Sequence, residues 1–331
     1  MTLMPSFRLH RPDSITEAVA ALAAVPGGRP LAGGTDLLVN LRRGMGDPPA
    51  LVDLSAVGGL DRLEVGEAGL TLGATVSLAR IAEDTRVREH WPALAQAAAS
   101  VAGPTHREVA TLAGNLCQET RCVFVNQSDW WRAGNGYCLK LKGEVCHVVK
   151  KSERCYAVYA GDVAPALMVL GAEAEVQGSG NPRRLALADL YHEEGRSHLT
   201  LLPGEIITAV HLPPPGGVVA GYAKVRVRAS VDFPLAGVAI ALRREGGRLA
   251  SLRVALTGVA SAPVAVPGLD GLEGQPWSEA AATTLSDAVR KACNAVKTTV
   301  MTPKYRRRGA AASAVRLTEA LWNPQAAEQP G

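Results

Sequence analysis

Four of the six cysteines fall in one short stretch of the chain, where together they could bind a metal centre. They are Cys122, Cys138, Cys146 and Cys155. Six cysteines in 331 residues are too few for a disulfide-rich secreted scaffold, and Cys117 and Cys293 stand apart from the group. The clustering therefore indicates a set of thiolate ligands.

The spacing of these cysteines favours an iron–sulfur cluster over a zinc ion. Structural zinc sites commonly pair their ligands as C-x2-C, and none of the four is paired in this way. Four thiolates from one irregular loop suit a [4Fe–4S] cluster. The runs 126–129 and 132–136 predict turns. Trp130 and Trp131 are expected to cover the cage, the site that the four clustered cysteines would form. A zinc ion and unligated thiols remain alternatives.

Two glycine-containing loops predict a binding site for phosphate groups. In the loop 31–36, Gly33 and Gly34 permit close approach of the backbone, and amides that open a following helix can face an anion. The loop 111–115 adds a hydroxyl, a glycine and a side-chain amide. Neither loop matches G-x-G-x-x-G or the P-loop pattern, which argues against a Rossmann site and against nucleotide hydrolysis.

The composition of the chain indicates a globular protein and gives no sign of nucleic-acid binding. With 47% hydrophobic and 20% charged residues, the chain is typical of a globular protein with substantial cores. The net charge of +4 is small and the basic run 304–308 is short, so no nucleic-acid partner is predicted. No signal peptide or membrane-spanning run is visible, so we expect a cytoplasmic protein without membrane contact.

The elements expected to position these residues form three regions. Residues 1–60 predict a small α/β unit. Residues 61–204 continue this pattern of helices and strands, and the cysteine segment at about 117–158 is inserted into it. Residues 205–325, beginning with a strand at Ile206–Leu212, predict an antiparallel sheet covered on one face by two helices.

Several of these features occur together, in the same order, in one protein family. The runs 31–38 and 111–115, Asp162 before an apolar helix, and Lys224 between strands resemble the FAD-binding medium subunit of the molybdenum hydroxylase (xanthine dehydrogenase) family. The resemblance covers nearly the whole chain. It implies an α+β fold, with a two-part FAD-binding domain of the PCMH (vanillyl-alcohol oxidase-like) type and a C-terminal domain of the CO dehydrogenase flavoprotein type.

The resemblance also implies the cofactor residues. Amides of the first run would wrap the FAD pyrophosphate, although Ala113 in the second run replaces a glycine usual in the family. Asp162 would accept a hydrogen bond from a sugar hydroxyl, and Lys224 would lie near the isoalloxazine ring. The implied FAD residues are Leu31, Ala32, Gly33, Gly34, Thr35, Asp36, Leu37, Leu38, Val101, Thr111, Gly114, Asn115, Asp162, Leu202 and Lys224. The four clustered cysteines would be the metal ligands, and no catalytic residue is implied.

The run 126–132 and the cysteine positions resemble one branch of the family, the β subunits of 4-hydroxybenzoyl-CoA reductases. That branch implies electron flow from a ferredoxin through [4Fe–4S] and FAD to partner subunits, a small one with [2Fe–2S] clusters and a large one with molybdopterin. The assembly would be a heterohexamer of three chain types that forms benzoyl-CoA by reductive dehydroxylation. A FAD/[4Fe–4S] subunit of a related molybdenum aldehyde or xanthine oxidoreductase, and a zinc-stabilised binding protein, are the alternatives.

Overall fold

The computed structural model describes residues 4–323, and its first region is a small parallel sheet with two helices. The elements are β1 (Arg8–His10), α1 (Ile15–Ala24), β2 (Arg29–Leu31), α2 (Leu37–Arg42) and β3 (Ala50–Asp53). The strand order is β1-β3-β2. The hydroxyl of Ser14 accepts a hydrogen bond from the Glu17 amide at 3.2 Å and so caps the start of α1. Strand β2 leads directly into the glycine loop 31–36.

The second region is an antiparallel five-stranded sheet with helices. Its elements are β4 (Leu63–Gly66), β5 (Gly69–Gly73), α3 (Leu78–Glu83), α4 (Thr85–His90), α5 (Pro92–Ala99), α6 (Pro104–Val109), α7 (Leu112–Leu116), α8 (Asp129–Gly134), α9 (Val163–Val169), β6 (Glu173–Gln177), β7 (Arg183–Ala186) and β8 (Ile206–Leu212). The strand order is β4-β5-β8-β6-β7. Strand β8 therefore lies at the centre of this sheet, whereas the sequence analysis assigned it to the third region.

The third region is a four-stranded antiparallel sheet that is buried on both faces. Its elements are β9 (Val219–Val225), β10 (Ala236–Glu245), β11 (Arg248–Thr257), β12 (Val264–Ala265), α10 (Glu279–Ala292) and α11 (Pro303–Trp322). Val238 and Ile240 of β10 pack in one apolar core with α10 and α11, and the intervening Ala239 packs in the core that contains α5 and α9. The prediction that one face is covered was thus incomplete, because helices of the second region cover the other. Residues 324 and 325 of the predicted region lie outside the described part.

The cysteine segment is an insertion that closes at its base. The amides of Arg121 and Val158 each donate to the carbonyl of the other, at 2.7 and 2.6 Å. Between them the backbone is irregular, with non-glycine residues at positive φ such as Tyr137 and Lys142, and with the short helix α8. Two details differ from the sequence analysis: α8 occupies part of a predicted turn because Ser128 caps it, and Trp130 is 83% exposed and does not cover the cage.

Among the described residues, no helix combines the length and the apolar character needed to cross a membrane.

Candidate cofactor site

The two glycine loops meet at the edge of a cleft. A Cβ atom on Gly33 would lie 1.7 Å from the carbonyl oxygen of Val109, the last residue of α6, so only glycine permits this contact between the first loop and the chain just before the second. Gly34 has φ of +70°, and the side chain of Leu38 packs behind it. The cleft encloses ≈ 450 Å³, within the range of ligand pockets. The loops that the sequence analysis assigned to phosphate binding are therefore adjacent in space.

Most of the predicted cofactor residues line this cleft. They are Ala32, Gly33, Gly34, Thr35, Asp36, Leu37, Val101, Thr111, Gly114, Asn115 and Asp162. Leu31 and Leu38 are not in the lining. Leu202 is 63% exposed and also lies outside the lining, whereas its neighbour Leu201 is part of it. Lys224 reaches the cleft only through Asp162.

The second loop is held by its own side chains. The Thr111 hydroxyl accepts a hydrogen bond from the Gly114 amide at 3.1 Å and caps α7. The Asn115 side-chain oxygen accepts from the amide of Val163 at 3.2 Å, which joins α7 to α9. Ala113 packs against apolar core residues, so the structure accommodates the methyl group that departs from the family pattern.

A buried ion pair lies at one end of the cleft. The Asp162 carboxylate accepts hydrogen bonds from the Tyr222 hydroxyl at 2.6 Å and from the Lys224 ammonium at 3.0 Å. Lys224 also donates to the carbonyl of Ser100, and both charged side chains are 4% exposed. Burial raises the pKa of Asp162, while Lys224 and Tyr222 oppose that shift. Asp162 does not cap α9 with its side chain, since its carboxylate is used by this pair.

The four clustered cysteines surround a second, smaller cavity, together with Phe124, His147 and Tyr156. Three of the thiols are buried and Cys138 is half-buried. Burial raises the pKa of Cys122 to about 11 and also raises the pKa of Cys155. Among residues 4–323, no group of three or more histidine, cysteine or acidic side chains is arranged to hold a metal ion.

Neighbouring regions support the segment at both ends. The amide of Val123 donates to the carbonyl of Thr298 at 2.9 Å, and the hydroxyl of Ser261 donates to the carbonyl of Cys155 at 3.3 Å. The buried Lys140 ammonium donates to Glu119, Thr120 and Gly195, at 2.6 to 2.7 Å. These contacts hold the cysteines although the segment has little secondary structure.

Residues 117–122 form the wall between the two cavities. Cys117, Gln118, Glu119 and Arg121 line the cleft, and Cys122 lines the smaller cavity. No cofactor role was predicted for residues 117–121, nor for Arg29, Arg43, Leu201 and Phe233, which also line the cleft. These residues come from elements without a recognisable motif, and only the fold brings them together.

Comparison with known families identifies the cleft. The family described as the FAD-binding domain in molybdopterin dehydrogenase matches residues 5–215, and the CO dehydrogenase flavoprotein C-terminal domain matches residues 221–321. The chain belongs to the FAD-binding medium subunits of the molybdenum hydroxylases. The boundary between the two matches follows β8, in agreement with the place of that strand in the second sheet.

Individual relatives of this medium subunit agree with that conclusion. The chain is 39% identical over 277 residues to the aldehyde oxidoreductase FAD-binding subunit PaoB of Escherichia coli (strain K12), which covers 81% of this chain and 86% of that protein. It is 28% identical to the carbon monoxide dehydrogenase medium chain of Afipia carboxidovorans, over 78% of this chain and 76% of that one. The solved structure of carbon monoxide dehydrogenase from Hydrogenophaga pseudoflava matches with a TM-score of 0.79 at 21% identity, over 97% and 98% of the two chains. The predicted fold class is confirmed.

The cleft of the medium subunit fits FAD. Three buried polar atoms along it have no hydrogen-bond partner among the described residues: the side-chain oxygens of Asn40 and Gln118 and the Nε of Arg121. Buried polar groups are ordinarily paired, so these atoms are suited to a polar ligand. Arg29 and Arg43 add positive charge for a pyrophosphate.

The chemistry of the smaller cavity fits a thiolate-bound metal group. The amide of Ala157 approaches the Cys155 sulfur at 3.4 Å, and such N–H···S contacts help to set the reduction potential of iron–sulfur clusters. A bound metal ion would also deprotonate thiols whose pKa burial has raised. The [4Fe–4S] cluster stays a prediction.

Proposed function

We propose that this FAD-binding medium subunit also holds a [4Fe–4S] cluster on Cys122, Cys138, Cys146 and Cys155, and carries electrons between that cluster and FAD. The observation that carries the proposal is the convergence of the four cysteines on one cavity beside the FAD cleft. Residues of one short segment line both cavities: Cys117, Gln118, Glu119 and Arg121 line the cleft, and Cys122 lines the smaller cavity. In this proposal the two redox groups therefore occupy neighbouring cavities.

The arrangement of the cysteines supports a cluster in preference to a single zinc ion. None of the four cysteines is paired as C-x2-C, the spacing that is common in structural zinc sites. A cluster distributes its four thiolates over four iron atoms, and these ligands can come from one irregular loop. The zinc-stabilised binding protein is accordingly the weakest of the alternatives.

The partners follow from the subunit type. The relatives are named as medium chains or FAD-binding subunits of larger enzymes. We therefore propose that this chain assembles with a molybdopterin-containing large subunit and a [2Fe–2S] small subunit, in a heterohexamer of three chain types, with a ferredoxin as the external electron carrier. FAD suits the middle of such a chain because it exchanges electrons singly or in pairs. The protein positions the cofactors and excludes water.

The identity of the complex has two candidates. The 39% identity to an aldehyde oxidoreductase subunit favours an aldehyde-oxidising complex, in which electrons leave the molybdenum centre. The resemblance of residues 126–132 and of the cysteine positions to 4-hydroxybenzoyl-CoA reductase supports the second candidate, in which electrons flow towards molybdenum. The whole-chain identity carries more weight because it extends beyond the inserted segment.

Anaerobic purification of the intact complex tests these proposals. We expect one FAD and iron bound to this chain, bleaching of the visible spectrum on addition of an aldehyde, and electron transfer to a ferredoxin. Zinc in place of iron would refute the cluster. Bleaching by reduced ferredoxin followed by loss of the hydroxyl from 4-hydroxybenzoyl-CoA, with no response to aldehydes, would select the second candidate.

A further inference from the structure

Asp36, at the end of the first glycine loop, binds the cysteine segment. It directly precedes α2, where an aspartate commonly caps the helix, yet its side chain makes no such cap. One carboxylate oxygen accepts a hydrogen bond from the amide of Glu119 at 2.9 Å, and the other is paired with the guanidinium of Arg121. The carboxylate therefore joins two segments that are more than eighty residues apart in the chain.

Arg121 connects this contact to the cage. Its backbone pairs with Val158 at the base of the insertion, and its neighbour Cys122 lines the cage. The side chain is 8% exposed, and its guanidinium lies 4.9 Å from the centre of the Phe233 ring. The arginine itself lines the cleft, where its Nε has no hydrogen-bond partner within residues 4–323. A shift of Cys122 would therefore move a group that touches both the glycine loop and the cleft.

We propose that the pair Asp36–Arg121 is a latch that couples the FAD loop to the cysteine cage. When the cage is filled, residues 119–122 are held in place, and Arg121 holds the loop 31–36 in the conformation that binds FAD. Asp36 and Arg121 are positioning residues in this account. The inference rests on the proposed function, since it requires a group bound by the four cysteines.

The coupling must be reciprocal. If filling the cage raises the affinity for FAD by some factor, then FAD raises the affinity of the cage by the same factor. Couplings of this kind usually amount to about 5- to 150-fold. The latch is partly buried and charge-assisted, so we expect about a tenfold effect on the dissociation constant of FAD.

The test measures FAD affinity and iron content in the assembled complex. Arg121→Met and Asp36→Asn should each raise the Kd of FAD about tenfold, and the double variant should be no worse than either single variant. Arg184→Met is the matched control, because its ion pair with Glu175 lies on the exposed β6–β7 hairpin. It should leave FAD affinity and iron content unchanged.

Removal of iron with a chelator supplies a second measurement that does not depend on a variant folding well. Chelation should weaken FAD binding about tenfold in the wild-type complex but have little further effect in Arg121→Met. An unchanged Kd in Arg121→Met, or an equal loss of affinity on chelation in both proteins, would overturn the latch. Absence of iron or FAD from the wild-type complex would instead refute the proposed function.

Discussion

The glycine loop offers the sharpest test of the FAD cleft, through the substitution Gly33→Ala. The added Cβ would lie 1.7 Å from the carbonyl oxygen and 2.6 Å from the carbonyl carbon of Val109. Real Cβ atoms essentially never approach other atoms closer than 3.0 Å, so the first loop and the end of α6 must part by about 1.3 Å (3.0 − 1.7). Both contacts are with backbone, which cannot rotate away as a side chain can. The first glycine loop must therefore move away from α6 at the edge of the cleft.

The magnitude follows from the cost of overpacking. Forcing an extra carbon into a packed site costs about 1–3 kcal/mol. We expect FAD binding to require the two segments in this arrangement, so that the cost appears as a weaker affinity for FAD. Since 1.4 kcal/mol corresponds to a tenfold change in affinity, the Kd of FAD should rise roughly 5- to 150-fold.

The measurement is fluorescence titration of flavin-depleted complex with FAD, with flavin per subunit as an independent readout. Gly58→Ala is the control, because nothing lies within 4 Å of the Cβ that it would add. The variant Gly33→Ala should melt near the wild-type temperature once depleted of FAD. Wild-type FAD affinity in Gly33→Ala would refute the role of this loop contact in shaping the cleft.

Three further predictions concern buried charges and thiols. Lys224→Met should destabilise the chain by about 3–5 kcal/mol, because it leaves the Asp162 carboxylate buried without its cation. Loss of the ammonium, which opposes the effect of burial, should raise the pKa of Asp162 further, so that the native variant holds a proton that the unfolded state releases. Thermal melting should therefore show the difference from wild type growing as pH rises above about 4. Burial lowers the pKa of His198 to about 4, so between about pH 6.5 and 4 the unfolded state binds a proton that the native state does not. The stability of the chain should therefore fall as pH falls through that window. His198→Phe should flatten this part of the plot of melting temperature against pH, and an unchanged slope would contradict the role of His198 in it. Cys146→Ser should abolish iron binding measured by metal analysis, whereas Cys293→Ser, in the core beneath α10 and α11, should retain it.

Local sequence patterns were sufficient to predict many of the helices and strands. The helices α1 and α11 both begin directly after a serine or a threonine, and a hydroxyl at that position satisfies a backbone amide of the first turn whatever surrounds the helix. Strand β8 was also found at its correct residues, but its sheet was not. An apolar run predicts a buried strand without specifying its neighbours, since pairing is decided by long-range contacts.

The candidate cofactor site shows the same difference between what local sequence patterns predict and what only the fold decides. The sequence by itself predicted which residue types could bind a cofactor: two glycine loops suited to phosphate groups and four clustered cysteines suited to a metal group. Only the tertiary structure decided that Gly33 is required by the carbonyl of Val109, that Lys224 is buried against Asp162, and that Leu201 rather than Leu202 lines the cleft. The physical reason is that each of these facts depends on atoms from segments distant in the chain, whose approach no local pattern encodes. The clearest example of such a contact between distant segments is given by residues 117–122. They contribute to the linings of both the FAD cleft and the cavity of the cysteine cage.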